Sequence, residues 1–142
     1  MIDLLNKILQ TNLDASAGYA FAAEEIENDN FRNFLKSYAA RRKRYADELE
    51  AEIVKLGGKS QSDTSLLGEV HQAFMKIREA VSINHDAALL DECVRGEGEA
   101  ISQYEKVLKT DKLNTDLRQL IMTQFDKVRA ARSTMEELER VV

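Results

Sequence analysis

The chain has 142 residues, with 25 acidic and 20 basic side chains, a formal net charge of −5, no proline and one cysteine. The 44% apolar and 32% charged residues exclude an intrinsically disordered chain and suit a single domain over residues 1–142. The negative charge argues against general nucleic-acid binding, and one cysteine excludes an intrachain disulfide bond.

The first half of the chain predicts two long helices, because apolar residues recur at three- and four-residue spacings. The first is expected from Ile2 to Glu27 and the second from Phe31 to Leu56. Asn28–Asn30 breaks the pattern and supplies an N-cap, and Gly57–Gly58 is typical of a helix end. The expected inward residues of the second helix are Phe31, Leu35, Tyr38, Tyr45, Leu49, Ile53 and Leu56.

A polar segment, Lys59–Thr64, leads to a shorter helix that we predict from Leu66 to Ile83. Two further long helices are expected, from Asn84–Asp86 to about Lys109 and from Thr115 to the end. The inward stripe of the short helix is expected to contain Leu67, Val70, Phe74, Ile77 and Val81.

The connection between the second and third long helices decides the topology. A long helix of about 25 residues spans about 38 Å, and the connecting short helix covers about 25 Å of it. The chain can therefore return to the end of the bundle from which the second helix started. We predict an all-α, ferritin-like four-helix bundle with a short extra helix in the crossover. The alternative is a simple up-and-down bundle with an extra helix outside it.

The stretch DECVRGEGEA places Glu97 between two glycines inside a predicted helix, where each glycine costs about 1 kcal/mol relative to alanine. At a rise of about 1.5 Å per residue, five polar residues fall near the same level of the four long helices. These residues are Asn12, Arg42, Tyr45, Glu97 and Gln124. We predict that they form a buried polar layer.

Glu97 has two interpretations, a metal ligand or one half of an ion pair with Arg42. A di-metal carboxylate bundle takes a glutamate from each of two helices and Glu-x-x-His from each of the other two. At the matching level only Glu97 fits, the sequence contains no Glu-x-x-His, and a guanidinium cannot bind a metal. The ion pair, supported by Gln124, Asn12 or Tyr45, is therefore favoured, and no metal, cofactor or catalytic residue is assigned. Gly96 and Gly98 are expected to let a neighbouring helix or the crossover approach closely.

The remaining chemically distinctive residues favour structural roles. His71 is interpreted as a packing residue, His85 as a capping or solvent-facing residue, and Cys93 as a small core residue. The four basic side chains of Arg41–Arg44 would point around the whole circumference of a helix, so this segment does not predict a nucleic-acid-binding patch.

Four stretches carry a resemblance to a known family. They are LNKILQTNLDASAGYAFAAEEI, YADELEAEIVKLGG, SLLGEVHQAF and LLDECVRGEGEAISQYEKVL. The pattern resembles DUF2383, a bacterial family of ferritin-like four-helix-bundle proteins of unknown function. The resemblance implies a ferritin-like bundle and brings no established activity.

We therefore expect a non-enzymatic, cytoplasmic helical bundle that acts as a binding or stress-related protein. The alternative is a ferritin-like protein with a degenerate iron or manganese site, built from Glu97 with Glu48 and Glu52. The expected partner is a second copy of the chain, and neither nucleic acid nor a membrane is expected. The contact would use the outer face of the short helix, which carries Leu66, Glu69, Ala73 and Ala80.

Overall fold

The structure is a computed structural model that describes residues 1–81 and 83–142. These residues form five α-helices, which are α1 (Ile2–Glu25), α2 (Asp29–Lys55), α3 (Thr64–Glu79), α4 (His85–Leu108) and α5 (Thr115–Val141). None of these helices is both long enough and apolar enough to cross a membrane.

The helix directions follow from contacts between distant parts of the chain. The Ser16 hydroxyl of α1 donates to the Ala39 carbonyl of α2 at 2.8 Å, and the tight turn between Glu25 and Asp29 makes these helices antiparallel. Tyr19 lies beside Glu97 and Asn12 beside Tyr104, so α4 also runs antiparallel to α1. Consequently α2 and α4 are parallel, and α3 is the crossover between them. The predicted ferritin-like connectivity is confirmed, and the simple up-and-down alternative is wrong.

Short polar side chains start the helices. Asn28, Asn84 and Asn114 each accept a hydrogen bond from a backbone N–H in the first turn of the helix that follows. Such caps satisfy donors that a helix leaves unpaired at its N-terminus. After α2, Gly57 has a φ of +80°, a conformation that favours glycine and ends the helix.

Two hydrophobic clusters fill the bundle, one towards each end. The first includes Leu5, Leu49 and Ile121, and the second includes Ile26 and Met135. Buried polar side chains separate the two clusters near mid-bundle.

The crossover differs from the prediction at its end. The helix stops at Glu79 rather than near Ile83, because Ala80 is already extended, with φ −74° and ψ 126°. Val81 therefore leaves the inward stripe and is 98% exposed, and Ser82 lies outside the described residues. Leu56 was also expected inward and is 45% exposed, because it follows the last turn of α2.

The crossover is held on α1 by two amide side chains. Asn6 donates to the Lys59 carbonyl at 3.1 Å and accepts from the Gln61 N–H at 2.7 Å, and Gln10 accepts from the Asp63 N–H at 2.5 Å. Further along, the Phe74 ring packs on Gly18, where an added Cβ would lie only 3.2 Å from it. These contacts fix α3 over the α1–α4 side of the bundle.

Candidate functional site

Glu97 lies at the centre of the bundle and is 1% exposed. One of its carboxylate oxygens accepts a hydrogen bond from the Arg42 guanidinium Nη1. The other accepts from the Tyr19 hydroxyl at 2.8 Å. Burial and the neighbouring Glu97 charge raise the pKa of Tyr19 well above its usual value, so the phenol stays neutral and donates.

Arg42 is as deeply buried as its partner, at 2% exposure. Its Nε donates to the Asn12 side-chain oxygen at 2.6 Å, while Nη2 has no hydrogen-bond partner among the described residues. Burial opposes its charge, but the Glu97 carboxylate, together with Tyr104 and Tyr19, outweighs that effect, and the pKa of Arg42 is raised. The arginine is therefore a permanent cation, and Glu97 is the carboxylate that pairs with it.

The hydrogen bonds continue from Asn12 to the fourth long helix. Asn12 donates to the Tyr104 oxygen at 2.7 Å, and the Tyr104 hydroxyl donates to the Gln124 side-chain oxygen at 2.7 Å. The Gln124 amide then donates to the Tyr45 carbonyl at 3.4 Å and to Glu48 at 3.3 Å. Burial raises the pKa of Tyr104 to about 12. One hydrogen-bonded layer thus joins α1, α2, α4 and α5.

The structure brings all five predicted polar residues to this layer, with one difference in role. Tyr45 contributes its backbone carbonyl, whereas we expected its side chain to support the ion pair. Tyr19 and Tyr104 were not among the five predicted residues, although their hydroxyls belong to the layer. The available signal was that buried tyrosines usually find a hydrogen-bond partner.

The donor set at this level does not fit the di-metal centre of ferritin-like carboxylate proteins. Both oxygens of Glu97 already accept hydrogen bonds, and the charged neighbour is a guanidinium, which repels a metal cation. Glu48 accepts from Gln124 in the layer, and Glu52 pairs with Lys55 at 3.2 Å. In residues 1–81 and 83–142 no three His, Cys, Asp or Glu side chains are grouped so that they could hold a metal ion.

Neither a neighbouring helix nor the crossover approaches closely at the two glycines beside Glu97, which corrects our expectation. A Cβ added at Gly96 would meet no described atom within 4 Å, and one added at Gly98 would lie 3.6 Å from the Arg132 guanidinium. Gly96 instead borders a cavity of about 80 Å³ between α1, α3 and α4. The close approach of the crossover occurs at Gly18.

The histidines, the cysteine and the basic run lie outside the polar layer. His71 is exposed, with its ring edge-on to Phe21 at 4.6 Å between centroids, and the His85 ring contacts the Ala80 carbonyl. Cys93 is buried in the cavity wall, and burial raises the pKa of its thiol. The side chains of Arg41–Arg44 point in different directions: Arg42 is buried, whereas Lys43 is exposed and pairs with Asp47 at 2.8 Å.

Comparisons with known proteins agree with this fold. The family described as Domain of unknown function (DUF2383) matches residues 1–110. A solved structure of Dps1 from Mycobacterium smegmatis, a phenylalanine-to-glutamate mutant, is similar with a TM-score of 0.78 and 16% identity. The likeness covers 97% of this chain and 93% of that chain, and it confirms the predicted fold. No curated protein matches.

Proposed function

This chain belongs to the DUF2383 family, and from that premise we propose that it is a non-enzymatic ferritin-like bundle that acts by binding. In this proposal the polar layer at mid-bundle is a structural element. It holds the four long helices together at the level where ferritin-like carboxylate proteins place their metal ions.

The observation that carries the proposal is the buried Arg42. Its guanidinium lies beside Glu97, the one residue at this level that matches a di-metal ligand, and it donates to Glu97 and Asn12. A buried charge is stable only when it is paired and hydrogen-bonded, so the role of Glu97 is to neutralise the buried Arg42. The contacts of Glu48 and Glu52 leave the degenerate iron or manganese site with less support than the ion pair.

The test is a metal analysis of protein purified from cells grown with added iron and manganese. We expect far less than one transition-metal ion per chain and no oxidation of added ferrous iron. The Glu97→Gln variant should give the same metal content as the unchanged protein. About one or more ions per chain, lost in Glu97→Gln, would overturn the proposal.

We also propose that binding includes a second copy of the chain, through the outer face of α3. Leu66 on this face is 37% exposed, and the neighbouring Glu69 is exposed. The inner face of the same helix is already used, because Phe74 is buried against α1.

A further inference from the structure

We propose that α3 is a detachable cover, which leaves the bundle as one unit while the four long helices stay folded. Its departure opens the cleft between α1 and α4 to solvent. This inference goes beyond the proposed function, because it assigns α3 a movement and names the side chains that the movement exposes. It rests on the unequal burial of α3 and the four long helices.

The packing of α3 on the bundle depends on a single ring. Phe74 is 4% exposed and is the one buried residue of α3 among the side chains that the structure describes. Each long helix, by comparison, buries between six and ten residues. The free energy of local opening grows with the apolar surface that has to be exposed, so α3 can separate at a lower cost than any long helix.

Polar contacts add little to this packing. The Arg78–Glu25 pair joins α3 to α1 at 3.5 Å, but its side chains are 58% and 29% exposed, and such pairs contribute little stability. The hydrogen bonds from Asn6 and Gln10 hold residues 59–63, which precede the helix. They anchor the segment about which α3 can turn and do not hold the helix itself.

The contacts among the four long helices do not depend on α3. One hydrophobic cluster, which includes Leu5 and Leu49, contains no residue of α3 among those that the structure describes. The other cluster takes the Phe74 ring from α3 and its other buried residues from the long helices. The hydrogen bonds of the polar layer also join α1, α2, α4 and α5. The bundle therefore keeps most of its core when α3 leaves.

Opening exposes one side of the polar layer. Phe74 and Val70 of α3 cover the cavity of about 80 Å³, and its walls include Tyr19, Cys93 and Glu97. Each of these three wall residues is at most 7% exposed while α3 is in place. The Cys93 thiol therefore reports the opening, because a bulky aromatic reagent does not fit into a cavity of this size.

Hydrogen exchange of the full-length protein tests whether α3 opens as a unit. The protein concentration is one at which light scattering shows a monomer, so that association through α3 does not contribute. We expect the amides of α3 to share one opening that is populated at least about a hundredfold more than the openings of the slowest amides in the long helices.

Labelling of Cys93 with dithiobis-nitrobenzoate tests what the opening exposes. The Cys93 thiolate attacks the disulfide bond of the reagent, forms a mixed disulfide and releases one thionitrobenzoate. Without denaturant, we expect labelling at least about tenfold faster than the globally unfolded population allows. The labelling rate should also depend on urea less steeply than global unfolding, because the opening of α3 exposes less surface.

Two variants separate local opening from a loss of overall stability. Phe74→Ala and Leu49→Ala each remove a buried side chain and destabilise the whole fold. Phe74→Ala should raise Cys93 labelling without denaturant about a hundredfold or more, because it weakens only the docked state of α3. Leu49→Ala is the control and should leave this rate within about twofold, since Leu49 stays packed when α3 opens.

Three results would overturn the inference. They are exchange of the α3 amides together with the slowest amides of the long helices, Cys93 labelling that follows global unfolding in rate and urea dependence, and an equal rise of labelling in the two variants. If circular dichroism shows that Phe74→Ala is unfolded, exchange and labelling of the unchanged protein decide. Bound iron or manganese would refute the proposed non-enzymatic role and would leave the opening of α3 unaffected, so the two can fail separately.

Discussion

Replacing Glu97 by glutamine removes the buried negative charge while keeping the shape of the side chain. Both carboxylate oxygens now accept hydrogen bonds, one from Arg42 and one from Tyr19. An amide has a single acceptor oxygen, so one of these donors faces an N–H group after the change. The guanidinium, 2% exposed, then keeps its charge without a carboxylate.

The expected loss is large because breaking a buried pair from one side costs about 3–5 kcal/mol. Domains are stable by only about 5–15 kcal/mol, and about 3–5 kcal/mol lowers the melting temperature by roughly 6–20 °C at this chain length. Arg42→Met added to Glu97→Gln should recover about 1–3 kcal/mol, since both charges leave together. Stability is not fully recovered, because the Asn12 side-chain oxygen loses the hydrogen bond that it accepts from Arg42.

Denaturant unfolding of the two single variants and the double variant measures this coupling. Asp47→Asn is the control, because it breaks the Lys43–Asp47 pair, in which both side chains are 59% exposed. That change should cost no more than about 1 kcal/mol. The reasoning is refuted if the double variant is as unstable as the sum of the single ones, or if Glu97→Gln resembles Asp47→Asn.

Three further predictions concern pH, helix packing and association. The pKa of Tyr104 is raised from 10.0 to about 12, so above pH 10 the unfolded state loses this proton first and stability falls as pH rises. Tyr104→Phe should remove part of that fall between about pH 10 and 12 in unfolding curves measured across this range. Gly98→Ala should stabilise the protein by up to about 1 kcal/mol. Gly18→Ala should stabilise it less or destabilise it, because the added Cβ would lie 3.2 Å from Phe74. Equal melting temperatures of the two variants would contradict this prediction. Leu66→Asp should shift light scattering at high concentration towards the monomer, and a strict monomer before the change would remove the dimer proposal.

The helices and their connectivity were predictable because the apolar spacing and the short polar breaks are local signals. Asn28 indicates the start of α2 and Gly57 its end, and each signal depends only on residues a few positions away. The level of the polar layer also followed from the rise per residue of a helix, which needs only the correct topology.

The details of the contacts were not predictable, because they depend on side-chain directions. Tyr19 and Tyr104 lie on apolar stripes in the sequence, and only the packed bundle shows where their hydroxyls reach. The expected role of Gly96 was wrong for the same reason, since spacing alone cannot tell a close helix contact from empty space. The end of α3 was misplaced because Val81 continues the apolar spacing after the helix has stopped.

The Arg42–Glu97 pair has a consequence for the order of folding. Its members are 55 positions apart and belong to different hairpins, α1–α2 and α4–α5. Each hairpin can form from local contacts, but neither charge can leave water favourably until the hairpins dock in register. A docking shifted by one turn, about 5.4 Å, would dehydrate a lone arginine and a lone glutamate. The pair therefore disfavours docking of the two hairpins in a shifted register. Its mutation should slow the docking or allow more than one register, as well as destabilise the folded state.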